Sequence, residues 1–196
     1  MKVNKDGKIV TMKDAPMNTL EEKVQRLLDR ESIMEVMHEY TRCADINDPF
    51  GMAACFTDDC ISTYWLDGEG EVLYGKDGLM RFLSTFYFGQ PEPPADAMDK
   101  VDVPGIVVYG AHHIHNEQMF FETPDSATVF LYMFSIQRFT TQVSDSLRWG
   151  RYELNFRRDE DSEWRIHRLR LLTIAEYAGT RQGEAFDRSW PPEMVK

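Results

Sequence analysis

Three histidines, His112, His113 and His115, form the densest group of titratable side chains in the sequence. They fall in a stretch that reads as a β-strand, where successive side chains point to opposite faces, so His113 and His115 share one face while His112 takes the other. A His-x-His pair on a strand is a workable metal geometry, with Glu117 or His167 as the completing ligand. Neither stands at a recognisable ligand spacing, so no metal is expected, and a hydrogen-bonded strand histidine is the competing reading for His113 and His115. The second candidate is Asp45, where a helical pattern ends. A carboxylate there meets the negative end of the helix dipole at a cost of about 0.3–1 kcal/mol. Either it serves the following turn, or it is poised to exchange a proton or to orient a histidine. Tyr40, a little over one turn earlier, reads as a core tyrosine whose buried phenol needs a partner.

The elements that must position these residues can be read from periodicity. Asn18 and Glu21 form a capping pattern ahead of Leu20, Val24, Leu27 and Leu28 at helical spacing. A second helical stretch carries Ile33, Val36, Met37, Tyr40 and Ala44 on one face and ends near residues 45–47. Asp48-Pro49 then opens a short third helix, with Asp as cap and Pro at its first position. A hairpin follows at residues 61–74, turning at 67–70, and an amphipathic helix runs through Leu79, Phe82, Leu83, Phe86 and Tyr87. Residues 90–105 contain four prolines and no period, and are expected to be a lid, an oligomer contact or a plain surface loop. Four long strands, at 106–122, 127–139, 147–157 and 164–177, are joined by short turns and so pair antiparallel. Helices, a hairpin, a helix and then long strands argue an α+β domain with helices on one face of a strongly curved sheet.

Composition narrows the partners. The chain has 196 residues, 22 Lys+Arg against 33 Asp+Glu and a formal net charge of −11, which disfavours phosphate backbones and anionic lipid. Neither nucleic acid nor a membrane is an expected partner. No apolar run is long enough to span a bilayer and residues 1–16 lack a signal-peptide core, so a cytoplasmic location is expected. Cys43, Cys55 and Cys60 form no CxxC pair and read as buried thiols. Aromatics reach 12% and methionines number 11, more soft apolar surface than a core of this size requires.

Particular stretches carry a family likeness: residues 31–40 through Asp45, Cys55-Phe56-Thr57-Asp58-Asp59, Tyr74-Gly75-Lys76-Asp77-Gly78-Leu79, residues 111–116 and Trp164-Arg165-Ile166. In that order and spacing, residues 20–177 resemble the SnoaL-like division of the nuclear-transport-factor-two-like superfamily. Within it they are most similar to the branch of scytalone dehydratase, bile-acid 7α-dehydratase and hexachlorocyclohexane dehydrochlorinase. The resemblance implies a cone-shaped α+β barrel spanning residues 18–178, between an N-terminal arm (1–17) and a C-terminal tail (179–196). A mixed, mainly antiparallel sheet would be closed by N-terminal helices around an apolar cavity that needs no cofactor. It puts Asp45 and His112 in the positions of the family's Asp–His dyad and Tyr40 and Tyr64 in those of its tyrosines. Where the dehydratases carry a second acid–base group, this chain has Ser135 and Gln137.

The implied reaction is proton abstraction by His112, oriented by Asp45 and assisted by Tyr40 or Tyr64. His113, Phe130, Tyr132, Met133, Phe134, Ser135, Trp149 and Tyr152 are expected to line a cavity for an aromatic or polycyclic molecule, such as a steroid or a lignin-derived diaryl compound. Elimination of water or release of a small fragment fits. Isomerisation or polyketide-cyclase-type proton transfer is the alternative, followed by a non-catalytic β subunit of a ring-hydroxylating dioxygenase and a passive binding module. A homo-oligomer is expected, a trimer before a dimer.

Overall fold

The computed structural model describes residues 2–3, 9–10, 17, 19–65, 70–140 and 144–180. Of the expected arm, Lys2–Val3 (β1) and Ile9–Val10 (β2) form a short antiparallel ladder. Its other residues up to 16, the hairpin turn at 66–69 and the expected tail from 181 lie outside the described residues.

The two expected opening helices are one, α1, Leu20–Asp45. Nothing between Leu28 and Ile33 breaks it, because Asp29-Arg30-Glu31-Ser32 contains neither Gly nor Pro. Its cap is Thr19 rather than Asn18: the Thr19 hydroxyl accepts from the Glu22 N–H, and the Glu22 carboxylate accepts from the Thr19 N–H. Leu20, Val24, Leu27 and Leu28, which repeat at helical spacing, are exposed. Packing starts one turn later at Asp29, which is buried and takes hydrogen bonds from Arg158 Nη2 (2.6 Å), Trp164 Nε1 (3.1 Å) and Gln25 Nε2 (3.0 Å). Burial alone pushes this carboxyl up, but those donors outweigh it and hold it below the usual range. The bridge therefore stabilises the fold above the ordinary carboxylate pKa and is lost as pH falls through the lowered folded value. Asp29→Ala is expected to cost about 2 kcal/mol in urea unfolding at pH 7 by removing the acceptor shared by Arg158 Nη2 and the buried Trp164 Nε1. The deficit should shrink in strong acid.

Asp48 caps α2, Pro49–Ala54, with its carboxylate accepting from the Gly51 N–H at 2.8 Å. The chain continues through β3 (Phe56–Trp65), β4 (Val72–Tyr74) and α3 (Gly75–Phe88). The long strands are β5 (Val107–Thr123), β6 (Ser126–Phe139), β7 (Ser144–Arg158) and β8 (Trp164–Thr180). They form one six-stranded mixed sheet in the order β4-β3-β8-β7-β6-β5, antiparallel except where β3 runs parallel to β8. The class is α+β as expected. Among the described residues the curved sheet does not close into a barrel, so β4 and β5 are its edges. The helices cover one face, and between them and the sheet lies a core that includes Ile33, Met37, Phe56, Leu79, Leu131, Leu154 and Ile166.

The loop at 90–105 is tied down by Asn47. That residue is buried, adopts φ 59° immediately after α1, and donates to the Val103 (3.2 Å) and Val107 (2.9 Å) carbonyls. The positive φ ends α1, and the Asp48 N–H closes the turn on the Cys43 carbonyl at 2.8 Å. Asp45 is thereby left as the last residue of the helix.

Candidate active site

The end of α1 comes to rest against β5 because Gly110 has no side chain. A Cβ there would lie 3.0 Å from Asp45 Oδ1 and 3.4 Å from its Cα. The carboxylate then reaches His112 twice: Oδ1 lies 2.6 Å from the ring Nδ1, and Oδ2 accepts from the His112 backbone N–H at 3.1 Å. An ionised carboxylate is an acceptor only, so Nδ1 carries the proton and Nε2 is left as the acceptor. His112 lines both an inner cavity and an outer groove, and Asp45 borders the outer groove.

That cavity is small, about 60 Å³. A ring-sized ligand needs more room than this, and the half-buried Phe82 and Phe86 stand among the cavity walls. On one side of the cavity the Tyr40 and Tyr64 hydroxyls are hydrogen-bonded at 3.0 Å. Tyr64 stacks on Phe82 at 4.7 Å, and Tyr152 meets Tyr40 edge-on. Burial pushes the Tyr40, Tyr64, Tyr87 and Tyr152 phenols above their ordinary pKa, so all four remain protonated donors near neutrality. Tyr87 uses its proton on the Ala44 carbonyl at 3.2 Å, bracing the last turn of α1.

Of the expected lining, Met133, Ser135 and Tyr152 face the cavity. Phe130, Tyr132, Phe134 and Trp149 do not line it. They belong to the opposite parity of β6 and β7, and Tyr132 and Trp149 are exposed. His113 is also turned outward, stacked on Phe134, and His115 is stacked on Tyr132. His167 sits on β8, 3.2 Å from Thr57 Oγ1 and three strands from β5, and among the described residues no three His, Cys, Asp or Glu side chains converge as a metal site. The cavity is also lined by residues that the sequence pattern does not single out, Phe82, Phe86 and Tyr87 of α3, together with Gln137 and Arg148. The last two were within reach, since Gln137 follows Ser135 at the same strand parity and Arg148 stands opposite it in the register.

Residues 25–170, three quarters of the chain, match the SnoaL-like domain. The chain belongs to this family. Among solved structures, the SnoaL-like chain resembles a scytalone dehydratase-like protein of Novosphingobium aromaticivorans, with a TM-score of 0.62 and 22% identity over 84% of this chain and 99% of that one. It is also similar to the hexachlorocyclohexane dehydrochlorinase LinA-type3 of Novosphingobium barchaimii, with a TM-score of 0.62 and 14% identity over 85% and 99%. A third is ActVI-ORFA of Streptomyces coelicolor, with a TM-score of 0.56 and 12% identity over 74% and 97%. At these identities the likeness is one of fold. Among curated proteins, none matches the SnoaL-like chain. No helix among the described residues is long and apolar enough to cross a membrane.

Proposed function

We propose that the protein is a cofactor-independent lyase that removes a proton from carbon in a bulky aromatic or polycyclic substrate and so drives loss of water or of a small fragment. The observation that carries this reading is the double contact of Asp45 with His112, which fixes the imidazole and leaves Nε2 on the cavity side. In the Tyr40–Tyr64 pair, the phenol that accepts from its neighbour keeps its own O–H for a leaving group or oxyanion. The dyad also supports isomerisation, which starts with the same proton abstraction. It gives no role to a purely structural β subunit. The test is deuterium incorporation: a panel of diaryl alcohols, aryl ketones and steroid ketones is incubated with the protein in D₂O and followed by NMR. Exchange or elimination at an activated C–H by the wild type, absent with His112→Ala, supports the reading. Equal rates with both proteins overturn it.

We place the enzyme in the cytoplasm, in catabolism of aromatic compounds, and as a homotrimer rather than a dimer. Exposed Tyr132 and Trp149 on the outer side of the sheet favour self-association. Light scattering on the purified protein should give three times the chain mass.

A further inference from the structure

His112, Ser135 and Arg148 form one row across the sheet. His112 stands opposite Ser135 in the β5–β6 register, and Ser135 opposite Arg148 in the β6–β7 register. All three line the cavity, as does Gln137, two residues along β6 on the same face. Adjacent strands are about 4.8 Å apart, so Arg148 is about 10 Å of backbone from His112, with Ser135 between them. Gln137 is buried, and its Oε1 accepts from Arg148 Nη1 at 3.2 Å, which holds the guanidinium at this wall. The Ser135 side chain is almost wholly buried at 1% exposure, and its Oγ has no hydrogen-bond partner among the described residues. A buried hydroxyl left unmade in this way is destabilising, so its place at the cavity wall points to a ligand group that completes it.

The chemistry of that group follows from the donors. A guanidinium offers N–H groups only, and the serine hydroxyl beside it can donate as well, which together select an oxygen that is or becomes negative. We infer that Ser135 and Arg148, with Gln137 as brace, bind the carbonyl oxygen of the substrate and stabilise the oxyanion that develops when His112 takes the proton from the neighbouring carbon. The substrate is therefore an aromatic compound with a carbonyl beside the reacting carbon. The Tyr40–Tyr64 pair is left to serve the departing group. The inference rests on the proposed reading of His112 as base.

4-Nitrophenol tests it without knowledge of the substrate, because its ionised form absorbs in the visible and mimics an aryl oxyanion. The wild-type protein should bind it as the phenolate at a pH below the pKa of the free phenol. Arg148→Met and Ser135→Ala should each weaken phenolate binding about tenfold or more, and Arg148→Lys should recover part of it. Ser135→Ala removes a single hydroxyl and keeps the wall in place should Arg148→Met fold poorly. The inference is overturned if 4-nitrophenol fails to bind or binds as the neutral phenol, or if Arg148→Met and Ser135→Ala both leave phenolate binding unchanged. Tighter binding of 4-nitrobenzoate than of the phenolate also overturns it, in favour of a permanent carboxylate. His112→Ala separates the two proposals. Phenolate binding kept in that variant supports the anchor whatever happens to turnover, whereas loss of binding places the anion on the imidazole and overturns it. Turnover kept in His112→Ala refutes the base and leaves the anchor standing.

Discussion

His112→Ala is expected to lower turnover by about 10²–10⁴-fold, the usual contribution of a positioned general base, with little change in thermal stability. The ring is held by Asp45 at Nδ1 and faces the cavity on its other side, so truncation removes the proton acceptor and leaves the wall in place. Added imidazole should restore part of the rate by occupying the vacated space. Asp45→Asn is the more informative partner. Its amide nitrogen can donate to Nδ1 and hold the opposite tautomer, placing the Nε2 proton where an acceptor is needed. A loss within the same range is expected although the side chains differ little in volume. A rate within threefold of wild type for either variant in an assay with an identified substrate would remove the dyad from the mechanism.

A second large effect should come from a residue that touches no substrate. In Gly110→Val the branched side chain suits a strand, so the sheet is expected to form. Its added carbons nevertheless need the space now held by the Asp45 carboxylate and Cα. The end of α1 must move out, and a shift of about 1 Å in catalytic geometry costs on the order of 10²-fold in rate. Gly110→Ala should fall between Val and wild type. The measurements are kcat beside far-ultraviolet circular dichroism: a slow enzyme with native secondary structure supports the positional account, and a native rate in Gly110→Val defeats it.

The parts of this architecture that were legible in the sequence are those with local signals. Asp48-Pro49 announced α2, and short turns announced the antiparallel order of β5 to β8, because both depend on neighbours in the chain. The place of Asp45 at a helix end was legible for the same reason. The direction of the aromatic side chains was not. On β6 both parities are largely apolar, Phe130, Tyr132 and Phe134 against Leu131 and Met133, so hydrophobicity cannot tell inside from outside. Polarity would have pointed the wrong way, since the inward row ends in Ser135 and Gln137. Leu20, Val24, Leu27 and Leu28 have core spacing but lie exposed, because an apolar period marks a helical face without stating what covers it. The join at Asp29 was hidden by distance, since the partners that bury it, Arg158 and Trp164, lie far along the chain.

Asp45 also has a bearing on how the protein survives in a crowded solution. β5 is an open edge of the sheet, and a long edge strand with outward N–H groups is a template on which a second chain can add a strand and begin an aggregate. At His112 the outward N–H is already taken by the Asp45 carboxylate, a charged group that cannot itself extend a ladder. The same side chain that aims the imidazole thus takes one donor away from this edge, and both duties bear on what can replace it.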